Sequence, residues 1–221
     1  MDWFSAVNGY CERGGPGLWA EPLNAVSNAS FLVAAWFGWR LAREHEDLGG
    51  QALALILAAI GIGSTLLHTV AQVWAAFADV VPIQLFILVY LALATIRFLG
   101  TPVWAGVAAA VAFVPLSALL TAGFQATFGG LNGSSGYLPV PILILGYATA
   151  LRSRARDAAG GLAIGAGLLA LSLAFRTVDR AVCPSVPFGT HFLWHLLNGL
   201  MLWWMIRVLV LDRPAAALRR Q

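Results

Sequence analysis

The sequence predicts an all-α fold: an integral membrane seven-transmembrane helix bundle, with the N-terminus outside and the C-terminus cytosolic. Three observations carry this. Of 221 residues, 60% are hydrophobic and 10% charged, against about 25% charged in a soluble domain. Seven stretches approach the roughly 20 apolar residues that cross a bilayer. The arginines are also unevenly distributed between the two ends of those stretches, in the sense of the positive-inside rule.

Residues 1–24 read as an outer N-terminal segment. They are polar at first (MDWFSAVNGYCERGGPG) and lack a basic stretch followed by an apolar one, so no cleavable signal peptide is expected. The apolar spans then run over 25–42, 51–70, 78–98 and 103–122. A Gly-rich stretch, 128–136, reads as a flexible outer connection. It has no lysine and follows no strand, so it is not a phosphate loop. Spans five to seven cover 137–151, 160–176 and 188–211, and 212–221 form a cytosolic tail. With no soluble domain appended, 1–221 reads as a single membrane domain.

All 13 basic residues are arginine, which excludes a lysine Schiff base and hence a retinal pigment. With the N-terminus outside, the inner side holds Arg40, Arg43, Arg97, Arg152, Arg154, Arg156, Arg207, Arg213, Arg219 and Arg220. The outer side holds only Arg13, Arg176 and Arg180. The net charge of +3 therefore reports topology and not nucleic-acid binding. Arginine-only basicity and Ala/Gly-rich helices suit a GC-rich bacterial genome, hence an inner membrane whose outer side is the periplasm.

Polar groups are costly inside a bilayer, so their depth is informative. His68 ends span two, Asp79 begins span three, and His191 and His195 begin span seven. Alternate spans run in opposite directions, so all four reach one outer depth. His191 and His195 share a helix face by their i, i+4 spacing, as do Ser64 and His68. Three imidazoles that leave one position open form a catalytic zinc arrangement, with Asp79 near enough to accept or orient a water proton. A structural zinc, a proton relay, or helix-end histidines that only hydrogen-bond fit the same residues. His45, among Glu44, Glu46 and Asp47, reads as a solvated loop residue, and Asp179 and Arg180 as an ion-paired corner. Asn24, Ser27 and Asn28 either brace the site or cap the first span. Cys11 and Cys183 both fall on the outer side, where disulfides persist, and fit either a bridge or two buried thiols.

Tyr10-Cys11-Glu12 and Ala20-Glu21-Pro22-Leu23-Asn24-Ala25-Val26-Ser27-Asn28 resemble the N-terminal signature of alkaline ceramidases. Gly63-Ser64-Thr65-Leu66-Leu67-His68, Asp79-Val80-Val81-Pro82 and His191-x-x-x-His195 resemble three further motifs, in the same order. The resemblance covers about residues 8–205. It implies a zinc-dependent intramembrane amidase that hydrolyses ceramide to a sphingoid base and a fatty acid. It implies zinc on His68, His191 and His195, Ser64 and Asp79 as catalytic residues, and a Cys11–Cys183 disulfide. Family members also bind calcium in the N-terminal segment. Here Glu12 and Glu21 match that site, Asn24 is a further candidate ligand, and Gly9 and Gly14 depart from it. Val80 departs from an acidic residue in the Asp-Glu-x-Pro element. The expected partner is a ceramide lipid, with no nucleic acid and no obligate protein partner. The alternatives are a receptor-like protein with a structural zinc and an ester-cleaving lipid hydrolase. The absence of a repeat and the single depth of the charges argue against a transporter.

Overall fold

The computed structural model describes residues 2–212. Met1 and 213–221 lie outside the described residues, and with them Arg213, Arg219 and Arg220 of the expected tail. The described chain is helical: α1 (Pro22–Ser27), α2 (Ala29–Glu44), α3 (Leu48–Val70), α4 (Val73–Leu99), α5 (Val103–Phe128), a 3-10 segment (Leu131–Tyr137), α6 (Pro139–Leu151), α7 (Arg156–Val182) and α8 (His191–Leu211). Six segments are long and apolar enough to cross a membrane: α3, α4, α5, the joined Leu131–Leu151, α7 and α8. This is the architecture of a multi-pass membrane protein. Outward-facing Val103, Trp104, Val107, Val111 and Leu119 give α5 a broad apolar exposed face, as lipid contact requires.

The first expected span differs. It is divided at Asn28, and α2 alone has 16 residues, about 24 Å of helix against a hydrocarbon core of about 30 Å. The cause is local. The Ser27 hydroxyl and the Asn28 side-chain amide both donate to the Asn24 carbonyl, each at 3.0 Å, and the Asn28 backbone N–H turns to the Val26 carbonyl. Such side chains compete with the helical ladder. Asn28 keeps right-handed helical angles, so α1 and α2 remain nearly in line.

The helices form a ring. Each of α2 to α5 packs on its sequence neighbour, α6 packs on α7, α7 on α8, and α8 returns to α2. Contact between α5 and α6 is sparse. At the turn between α2 and α3 Asp47 caps α3 through the Gly50 N–H, and Arg97 of α4 forks onto the same carboxylate at 2.7 and 2.8 Å.

The approach of α3 to α4 positions the site. Pro82 has no N–H, so the Ala78 carbonyl loses its intrahelical donor. That carbonyl presses against Gly63, where any Cβ would collide with it. Small residues permit this approach between membrane helices. Ser64 and His68 of α3 are thereby set against Asp79 of α4. Gly63→Ala should cost about 1–3 kcal/mol, as overpacked cores do, read as a lowered Tm in detergent.

The Gly-rich stretch is not an open connection, which corrects the expectation for 128–136. Asn132 and Gly133 take left-handed angles (φ 53° and 80°) and turn the chain inward. The Asn132 side chain then donates to the Arg176 carbonyl at 2.9 Å, and Ser134 and Ser135 are buried.

Candidate metal centre

The three histidines converge. One ring nitrogen from each of His68, His191 and His195 falls within 4.8 Å of the others, and all three residues are buried. The i, i+4 spacing on α8 and the antiparallel run of α3 beside it bring them to one depth.

Their ring chemistry is set by neighbours. The Glu21 carboxylate accepts from Nδ1 of His68 at 2.5 Å. A carboxylate only accepts, so Nδ1 carries the proton and Nε2 is bare. His195 Nδ1 lies 2.7 Å from the Ser27 hydroxyl. That hydroxyl already donates its one hydrogen to the Asn24 carbonyl, so Nδ1 of His195 donates and its Nε2 is bare as well. Nε2 of both residues, and Nδ1 of His191, are buried without a hydrogen-bond partner. Unpaired buried polar atoms are costly and rare. Three facing one another fit a cation with nitrogen ligands, and the set matches the donors of zinc.

The braces come from the N-terminal segment. Glu21 is held by the Arg13 guanidinium and by the Asn24 amide, at 3.1 Å from the latter. Arg13 also reaches the His68 carbonyl at 3.3 Å. Burial pushes the Glu21 carboxyl up, but hydrogen bonds from His68, Arg13 and Asn24 outweigh it and hold it below the usual carboxylate range. Glu12 caps α1, accepting from the Leu23 and Asn24 N–H groups at 2.7 and 2.8 Å. The oxygens of Glu12 and Glu21, two of the three calcium candidates, are thus directed at N–H donors. Tyr10 stacks on His191 with ring centres 3.8 Å apart.

Asp79 and Ser64 lie beside the cluster and pair with each other. Both are buried. Asp79 sits in the second turn of α4, which begins at Val73, five residues before the expected span.

A family model described as Ceramidase matches residues 10–217, which include every residue of this cluster. The chain belongs to the ceramidase family. Membership implies a hydrolase of amide bonds and a lipid substrate, ceramide. Comparison with curated proteins gives no match.

In this ceramidase, Cys11 and Cys183 are joined by a disulfide, with Cα atoms 5.6 Å apart. It fastens the bracing segment to the loop before α8. Asp179 secures the same junction and is not the ion-paired corner expected with Arg180. Its buried carboxylate accepts from the N–H groups of Cys11, Thr190 and His191 at 3.0, 2.8 and 3.0 Å, while Arg180 is exposed. Three backbone donors from two distant segments leave that carboxylate no need of a cation.

Arg176 of α7 was legible only as an outer-side charge. Its guanidinium lies over the rings of Tyr10, Tyr137 and Trp194, 5.1–5.7 Å from their centres. No charge pattern along the chain signals such a cage. His45, as expected, is exposed.

The ceramidase's Glu21 is the neighbour whose removal should register first. Glu21→Gln should weaken the affinity of the three-histidine cluster for a divalent metal ion about 10–100-fold, the usual effect of losing a partner of a metal-bound histidine. Competition with a chromogenic chelator measures it.

Proposed function

We propose that this chain is a zinc-dependent ceramidase that cleaves the amide of ceramide within the membrane, releasing a sphingoid base and a fatty acid. The observation that supports this best is the set of three buried ring nitrogens without a hydrogen-bond partner, on histidines that converge beside the Asp79–Ser64 pair. His68, His191 and His195 would hold the ion. Zinc in such a site polarises a carbonyl and makes a water nucleophilic near pH 7.

The remaining work falls to the chain's own side chains. Asp79 takes a proton from the attacking water and returns it to the departing nitrogen as the C–N bond breaks. Ser64 donates its one hydrogen to the Asp79 carboxylate and so holds that carboxylate in place. Glu21 and Ser27 hold the two imidazoles in the tautomers that leave Nε2 free. We assign Glu12, Glu21 and Asn24 to this bracing in preference to calcium, because Arg13 already places a positive charge on Glu21.

In this reading 1–221 is one membrane domain. The near-continuous 22–44 helix serves as a seventh crossing, the N-terminus faces out, and the site opens toward the periplasmic side of a bacterial inner membrane. The excess of arginines at the opposite end supports that orientation.

The test is fatty-acid release from a ceramide panel by purified protein in detergent, with and without a zinc chelator. Release that the chelator abolishes and added zinc restores supports the reading. Release indifferent to chelation removes zinc from it, and no release from zinc-loaded, folded protein removes the ceramide amide.

A further inference from the structure

Two small apolar cavities lie inside the ring. They share Ile87, Val140, Met201 and Leu202 as lining residues, so they adjoin along one path. The upper one is walled by Trp194 and Asn198, the residue before His195 and the third after it. The lower one reaches Ala94, Tyr147, Leu162 and Met205. Met205 lies ten residues beyond His195 on α8, about 15 Å deeper along the helix.

The inner end is closed by two devices. The Tyr147 hydroxyl pairs with the Thr95 hydroxyl at 2.6 Å, tying α6 to α4. Met205, 3% exposed, lies against α7 in a notch left by Gly165. A Cβ at Gly165 would meet the Met205 sulfur. The obstacle is the end of a flexible thioether and not backbone, so the side chain would swing away from α7 and into the cavity it lines.

We propose that this shaft is a chain-length gauge for the lipid's acyl chain, with Met205, seated on Gly165, as its adjustable floor. The proposal rests on the reading of the chain as a ceramidase and adds which substrates it selects. The occupant is an alkyl chain because the shaft is apolar and begins at the histidine layer, where the reacting carbonyl must lie. A zigzag of about 1.5 Å carbon–carbon bonds advances roughly 1.3 Å per carbon. The shaft therefore accepts roughly a dozen carbons below the site. Each methylene that enters should raise kcat/KM about fourfold, the equivalent of about 0.8 kcal/mol, until the chain meets the floor. Past that length the gain stops.

The experiment uses the zinc-loaded protein with saturated N-acyl ceramides and, separately, saturated fatty acids, from about eight to about twenty carbons, a range that brackets the roughly dozen carbons the shaft accepts. Hydrolysis gives kcat/KM against length. The fatty acids give the Tm shift against length, which needs no turnover. The native protein should show a break in both curves. Gly165→Ala should move the break to shorter chains and Met205→Ala to longer ones, with metal content unchanged in each. Curves that keep the native break in both variants, or a native Tm series without a break, would overturn the gauge. A break in the Tm series that moves as stated, without hydrolysis of any ceramide, would retain the gauge and overturn the ceramidase reading instead.

Discussion

Replacing His195 with alanine should leave a folded protein that retains no zinc after dialysis and has lost ceramide hydrolysis to background. The expected fall in kcat/KM is at least about 10³-fold, because the loss removes the source of the nucleophile as well as a ligand. His195 is fully buried, and its Nδ1 proton is spoken for by Ser27. Its Nε2 has no protein partner to lose, so truncation should disturb packing little beyond the vacated ring. Metal analysis of the purified variant, beside its Tm, separates loss of the ion from loss of the fold. Zinc retained at one equivalent would mean that the ion sits elsewhere and that the cluster is a buried imidazole network.

Asp79→Asn should behave differently. The amide is nearly the same size and can still pair with Ser64, so zinc content and Tm should stay near native. Activity should fall by about 10²–10⁴-fold, the usual share of a general acid–base group. The loss should appear in kcat with KM little changed, since the substrate's chains contact the shaft and not Asp79. An Asp79→Asn protein with native kcat would remove the proton-carrying role and leave Asp79 as a packing residue of α4.

The convergence of the three histidines was legible because it depends on two regular facts. Helix periodicity puts His191 with His195 and Ser64 with His68, and alternating helix direction brings the end of α3 and the start of α8 to one depth. The bracing was not legible at that level. Glu21 meets His68 and Ser27 meets His195 only because the N-terminal segment folds back over the bundle, a course fixed by the disulfide and by Asp179. No periodicity governs that segment. The Asp179 reading failed because an adjacent Arg180 suggested a local pair, whereas the carboxylate serves the backbone donors of Cys11, Thr190 and His191, far apart along the chain. The 128–136 stretch was misread because glycine permits inward turns as readily as mobility. The break at Asn28 turned on side-chain competition for one carbonyl, which hydropathy does not register.

Two of the three histidines stand on α8, the last described helix, and the third on α3. During synthesis the chain therefore exposes His68 long before its partners exist, and a single imidazole retains zinc poorly. Metal capture must wait until α8 has been inserted and packed against α2 and α3. An ion held by all three histidines would then be captured only once α8 is in place, and chains arrested before His195 would lack the site.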